Sequence, residues 1–311
     1  MITLWLVTIL SVLAVAIGRY LSTEVRLTKF RLARAQAKAL ARSGVYLAMQ
    51  QLKRDGPEED GKAYDWLGDE WAHDAAVPWV VDVPSDPSDP AAPPHTITVT
   101  MTDEQRKLNI NAVTAAQLES LLGSQPLAQE IVDYIDQDNA GEQPVEDPPF
   151  FQKNESVAAL EELRDVPGMT PEMFARLAAS TAVFPSGSNA SVNINTVESY
   201  VLRAIGLNNN TIQAISQFRE TGGRFTQAGV GIATTLEDHG VVLEDEQKNL
   251  LVGSLFGVSS QLFAVVSEGA VVVSGGVVER PTVRVQVQAV VLRQGCAQGI
   301  PAPCLIAWRE G

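Results

Sequence analysis

Residues 1–55 read MITLWLVTILSVLAVAIGRYLSTEVRLTKFRLARAQAKALARSGVYLAMQQLKRD. From Ile2 to Ile17 there is no charge. A run of about 16 apolar residues is short for a conventional span, which uses nearer 20. It is long for a signal-peptide core, and no A-x-A cleavage pattern follows it. The stretch from Ser22 on is no loop: it has helical composition and neither Pro nor Gly before Gly44. Leu21, Val25, Leu32, Ala35, Ala39 and Tyr46 fall on one helical stripe. The two parts therefore predict one continuous helix of roughly 50 residues, about 75 Å long.

Charge is divided along the chain. Residues 1–54 hold nine Lys or Arg and one acid, out of 23 bases and 37 acids in all. The remainder thus has 14 bases against 36 acids, a net −22. Such a body repels nucleic acid and attracts divalent cations. The bases follow the apolar run and none precedes it, which by the positive-inside rule puts the body in the cytoplasm. The acidic body and the cysteines point to the other side. A basic leader ahead of residue 1 reconciles the two. Cys296 and Cys304, the only cysteines, flank the turn-forming AQGIPAP, and predict a small disulfide clip outside the cytoplasm.

Beyond the helix, WVVDV (79–83) and TITVTMTD (96–103) alternate as strands. The phrase LNINAV (108–113) returns as VNINTV (192–197), with Asn111 aligned to Asn195 and an apolar helix ending at Gly after each. This reads as an internal repeat, with the Asn capping a turn and the Thr capping a helix. LEELRDVPGMT (160–170) adds a helix that stops at Pro167-Gly168 and another that starts at Pro171. From 261 the period becomes two, as antiparallel strands. The expected fold class is α+β: a long N-terminal helix plus a small antiparallel sheet, interrupted by an inserted all-helical domain. The expected divisions are 1–54 helix, 55–103 first part of the body, 104–258 helical insert and 259–311 C-terminal β part.

Between the repeats lies DYIDQDNAGEQPVEDPPFF (133–151), with six carboxylates and no nearby His. A hydrolytic carboxylate dyad needs a means of separating two pKa values, and none is visible here. Mutual repulsion instead calls for a hard cation, the alternative being a solvated acidic turn. The EF-hand spacing is met only in part, since Ala140 and Asp147 stand where that motif has ligands. Asp133 reads as a helix residue facing water. His73, His95 and His239 are isolated, and Trp66, Trp71 and Trp79 read as core or subunit contacts. The PGM turn is a helix-hairpin-helix element without a basic rim, which favours structural use over DNA binding.

TDEQRKLNINAV, the acidic loop, LEELRDVPGMT and SVNINTVESYVLRAIGL, in this order behind the apolar helix, resemble the type II secretion system protein K family, the large minor pseudopilins. The resemblance covers most of the chain. It implies a non-enzymatic subunit of the pseudopilin fold, single-pass in the inner membrane with its body in the periplasm. It implies a place at the tip of the pseudopilus with minor pseudopilins I and J, contact with other pseudopilins through the helix, and processing by prepilin peptidase. Contact with secreted substrates belongs to the same implication. The apolar run has no acid, with Trp5 fifth as numbered; this fits the exception that protein K makes among such subunits. The resemblance also implies calcium, with Asp136, Asp138, Glu142, Glu146 and Asp147 as ligands. The competing readings are a type IV pilus minor pilin, a membrane-anchored helix-hairpin-helix DNA-uptake protein and a periplasmic hydrolase.

Overall fold

The computed structural model describes residues 2–55, 63–86, 88–89, 91–136, 153, 155–184, 191–273, 281–294, 296, 300 and 302–311. In chain order the elements begin with α1 (Ile2–Arg54), β1 (Trp79–Val83), β2 (His95–Asp103), β3 (Leu108–Asn109), α2 (Ala115–Leu122) and α3 (Gln125–Ile135). Then come α4 (Pro171–Ser180), β4 (Thr181–Ala182), β5 (Val192–Asn193), α5 (Ser199–Ile205), α6 (Asn209–Glu220), α7 (Val230–Asp238) and α8 (Asp245–Val252). The chain closes with β6 (Phe256–Gly257), β7 (Leu262–Val272), β8 (Thr282–Leu292) and β9 (Cys304–Glu310).

Among the described residues one antiparallel sheet runs in the order β1-β2-β7-β8-β9. The chain leaves it after β2 and returns at β7, so the helical block is spliced between two neighbouring strands. The β7–β8 register, from Leu262↔Leu292 to Val272↔Thr282, sends Phe263, Val265, Val287 and Ala289 to one face. There they meet Ile97 and Val99 of β2 and the lower half of α1. Trp71 closes this core edge-on to Phe263, with ring centroids 5.0 Å apart.

The face of α1 that packs on the sheet differs from the expected stripe. The buried positions are Ala33, Ala37, Ala41, Gly44, Val45, Ala48 and Leu52. Leu21, Val25, Leu32, Ala35, Ala39 and Tyr46 are exposed. Close approach explains the choice. A Cβ on Gly44 would lie 2.7 Å from Ile97 Cγ2, and one on Gly269 would lie 2.6 Å from the Ala41 amide nitrogen. Helix and strand backbones nest at these two glycines, and only small side chains allow it. Leu21, Val25, Leu32 and Tyr46 are turned outward, while Val45 and Leu52 are the larger side chains on the buried face.

The helical block has its own core, from Leu108 through Ile194 to Val258. Among its described residues the strands form two short parallel ladders, β3 with β4 and β5 with β6. Each ladder closes one copy of the repeat. In each copy the first Asn side chain accepts the amide N–H two residues on: Asn109 from Asn111 at 3.2 Å and Asn193 from Asn195 at 3.0 Å. The second Asn then clamps one distant residue through both backbone groups. Asn111 bonds Val157 N and O at 2.9 and 3.0 Å, and Asn195 bonds Phe225 N and O at 2.8 and 2.9 Å.

The caps agree in part. Thr114 caps α2 in a capping box with Gln117, and Thr170 caps α4 behind Pro171. Thr196 does not cap α5; its hydroxyl is taken by Asp103. The LEELRD segment is a 3-10 helix instead of the expected α-helix, with Glu162 accepting from Ala158 and Ala159 N–H. The copies also differ in reach. The chain passes directly from Glu220 at the end of α6 to Phe225, but in the first copy the whole acidic segment separates Ile135 from Val157.

Candidate functional site: anchor helix, acidic loop and junction

The described part of α1 above Ala33 is exposed on all sides. An 18-residue window of it has mean hydropathy 2.0, so the helix is long and apolar enough to cross a membrane. Below that window the bases Arg19, Arg26, Lys29, Arg31 and Arg34 are exposed, and the outward stripe from Leu21 to Tyr46 continues down the side away from the sheet. A helix in this state has an apolar face with nothing of its own chain on it. Lower down, Lys38 and Arg42 hold Glu310 of β9, at 2.5 and 2.6 Å. The hydrogen bond from Lys38 is the foremost cause that keeps the Glu310 carboxyl down at about 2.

Of the five predicted calcium ligands, Asp136 stands directly after α3, half-buried, with its N–H donating to Val132 O at 2.9 Å. Asp138, Glu142, Glu146 and Asp147 lie outside the described residues. One observation bears on a cation here. The last turn of α3 carries no basic residue, so the partial negative charge of its C-terminal carbonyls adds to Asp136. Elsewhere on the same helix, Glu130 encloses a carboxylate oxygen that has no hydrogen-bond partner among the described residues. The donor chemistry is all oxygen, which suits a hard cation. The sequence pattern points to neither Glu130 nor the uncompensated helix end. Asp133 is half-buried, where exposure was expected.

The histidines remain apart. His73 stacks on Trp79, His95 accepts from Val272 N–H at 3.3 Å, and His239 lies edge-on to Phe218. Trp71 is core, while Trp66 lies beneath the Arg224 guanidinium at 5.0 Å. Cys296 and Cys304 are joined as a disulfide, and Cys304 is buried against Ala182, Phe184 and Leu292. The clip joins the end of β8 to the start of β9, and Cys304 packs against the helical block.

A buried polar junction joins body and block, and the sequence reading missed it because its members are scattered from 55 to 293. Asp103, at the end of β2 and 2 % exposed, accepts from Thr196 Oγ1 at 2.5 Å, Ser260 Oγ at 2.6 Å, Gln105 N at 2.7 Å and Asn193 Nδ2 at 3.3 Å. Burial pushes its carboxyl up to about 6, against the pull of those hydroxyl and amide donors. Asp65 accepts from Ser260 N at 2.6 Å and Arg293 Nη1 at 2.7 Å, and burial raises it as well despite the Arg293 charge. Arg293 also reaches Asp55 at 3.4 Å and covers the Phe263 ring. Gln105 completes the seam, donating to Ser191 O and accepting from Gln261 N–H.

Residues 99–186 match the family model of Type II secretion system (T2SS), protein K. No curated protein matches the chain. The chain is similar in fold to a chain in the crystal structure of the GspK-GspI-GspJ complex from the enterotoxigenic Escherichia coli Type 2 Secretion System. The TM-score is 0.57 and the identity 19 %, over 94 % of this chain and 99 % of that one. The resemblance read from the sequence is thus matched by the family model over residues 99–186, and the fold is shared over nearly the whole chain. The α+β arrangement of long helix, antiparallel sheet and helical segments holds with it.

Proposed function

We propose, from the premise that residues 99–186 carry a type II secretion system protein K domain, that the chain is a minor pseudopilin of that system. It acts as a non-enzymatic assembly subunit at the tip of the pseudopilus, supporting pseudopilus initiation and export across the outer membrane. The observation that carries this reading is the pairing of a membrane-length helix with a sheet body that has a large block spliced between β2 and β7. The helix anchors the subunit in the inner membrane after prepilin peptidase has acted, and its outward stripe seats the helices of other pseudopilins. The body sits in the periplasm, where the Cys296–Cys304 disulfide persists. The partners are minor pseudopilins I and J; the related complex contains GspI and GspJ. The helical block stands where a further subunit would have to stack, and offers the surface for secreted substrates. Its net-acidic body makes nucleic acid an unfavourable partner.

Calcium, held by Asp136, Asp138, Glu142, Glu146 and Asp147, keeps the acidic segment folded against the block. The deciding experiment expresses residues 19–311 with the soluble domains of I and J, with and without EDTA. A stoichiometric complex is expected, weakened by EDTA. A well-folded protein that binds neither partner would sink the tip assignment. Separately, if Asp136→Ala with Asp138→Ala melts like wild type in calcium, the metal reading fails.

A further inference from the structure

We infer that α1 carries a binding site for the phosphate head groups of anionic phospholipids, formed by Arg19, Arg26 and Lys29 just below its apolar run. The inference rests on the reading of α1 as a membrane anchor, and holds in whichever leaflet surrounds these residues. Arg19, Arg26, Lys29, Arg31 and Arg34 are all exposed, and among the described residues none has an ion-pair partner. Glu24, the acid of this stretch, has Tyr20, Leu21, Leu27 and Thr28 at three and four residues to either side, so no base neighbours it on the helix. Arg26 and Lys29 stand three apart, as do Arg31 and Arg34, and like charges at that spacing repel. Lower down the chain answers the same repulsion from within: Lys38 and Arg42, four apart, share the Glu310 carboxylate at 2.5 and 2.6 Å. Burial of α1 begins at Ala33, and above it the described body supplies no such carboxylate.

The bilayer supplies the anion at the right height. Tyr20 and Leu21 extend the apolar run past Arg19, which puts the edge of the hydrocarbon near Leu21. The head-group layer below that edge is about 5–8 Å deep. At 1.5 Å per residue, Arg26 lies about 8 Å and Lys29 about 12 Å past the edge. Arg19 lies inside it and reaches down along its own apolar stem, while Lys29 reaches up. The three charges converge on the phosphate layer, and Arg31 and Arg34 add to the attraction from below. The steps from Arg19 through Arg26, Ala33, Ala37 and Ala41 to Gly44 are seven, seven, four, four and three. Arg19 and Arg26 therefore continue upward the face that grips the sheet, and Leu21, Val25 and Leu32 lie on the opposite side. Head groups take the side of the helix over the body, and the apolar stripe stays open to other helices.

The test uses the full chain in lipid discs of phosphatidylcholine and phosphatidylglycerol in equal parts. Lipids that stay with the protein on extraction into a non-ionic detergent are counted by mass spectrometry. Wild type should retain phosphatidylglycerol at least about fivefold over phosphatidylcholine, the worth of one surface base. The ratio should fall when extraction is done in about 0.5 M salt. Arg19→Gln, Arg26→Gln and Lys29→Gln together keep the helix, since Gln is as good a helix former, and should bring the ratio to parity. Arg176→Gln with Arg203→Gln, two exposed bases of the helical block, should leave it unchanged. Equal retention of the two lipids by wild type overturns the site, as does an equal loss from the two block changes. So does a lipid-independent oligomer that the three α1 changes dissolve, which would seat the carboxylates of another helix on these bases. Flotation with vesicles of phosphatidylcholine alone separates the two readings. A chain that does not float fails as an anchor and takes this site with it; a chain that floats but shows no lipid preference fails only here.

Discussion

Replacing Gly269 by Ala adds one carbon where α1 meets β7. That carbon would lie 2.6 Å from Ala41 N and 2.9 Å from Leu40 Cβ, and closer still to the Ala37 carbonyl oxygen. Two of the three atoms are helix backbone and cannot turn aside, so α1 must rise by about 1 Å. A gap of that size forfeits a quarter to a half of the dispersion contact across the seam. Overpacking costs about 1–3 kcal/mol in general, and the backbone clash puts this site near 3. At about 2–3 °C per kcal/mol for a chain this long, Tm should fall by roughly 6–9 °C. Gly44→Ala is the milder case. Its carbon meets the Ser267 Oγ most closely, then Ile97 Cγ2 at 2.7 Å and Val99 Cγ2 at 3.0 Å, all of them side-chain atoms and none of them backbone. Ala also recovers about 1 kcal/mol of helix propensity there. Gly18→Ala meets nothing within 4 Å and should lose nothing. Thermal unfolding followed by circular dichroism should rank them Gly18→Ala, Gly44→Ala, Gly269→Ala in falling Tm. A Gly269→Ala protein within 2 °C of wild type would refute the nested-backbone account.

Asn195→Ala removes both bonds to Phe225 in a buried setting and should cost about 2–3 kcal/mol by urea titration, while Asn111→Ala, half-buried, costs less. Reducing the Cys296–Cys304 disulfide should lower stability by roughly 2–3 kcal/mol and expose β9 to protease before the rest of the sheet, as read by timed digestion. Glu310 is held low by Lys38 and Arg42, so its contribution is present above the ordinary carboxylate range and is lost as pH falls towards 2. Exchange of β9 amides should therefore quicken over that acid range, and Glu310→Gln should remove the acid dependence.

Periodicity and punctuation made most of the fold legible. The sheet strands and the long helix declare themselves by period two and by the lack of breakers, and the N-I-N phrases by repetition. The face of α1 was misread because hydrophobicity was taken as the sign of packing. Against a sheet approached through Gly44 and Gly269 the signal is smallness, and the Ala33-Ala37-Ala41 spacing carries it. The two-residue parallel ladders are too short for any periodic signature. Asp136 was visible as part of a charge cluster, but Glu130 needs the three-dimensional enclosure of its oxygen to stand out. Thr196 looked like a helix cap by position; its hydroxyl goes to Asp103, a partner 93 residues away that no local rule foresees.

The meeting of Gly44 with β7 and Gly269 with α1 has a mechanical meaning. A helix of 53 residues spans about 80 Å, and the sheet grips only its lower half. Sliding α1 along the sheet by one turn would bring a side chain into each notch, so axial slip is blocked by steric shear and not by friction between rotamers. A pull on the body along the helix axis passes undiminished to the apolar end. The bare shaft above Ala33 can bend, but the body and its anchor cannot be drawn apart lengthwise without first lifting the helix off the sheet.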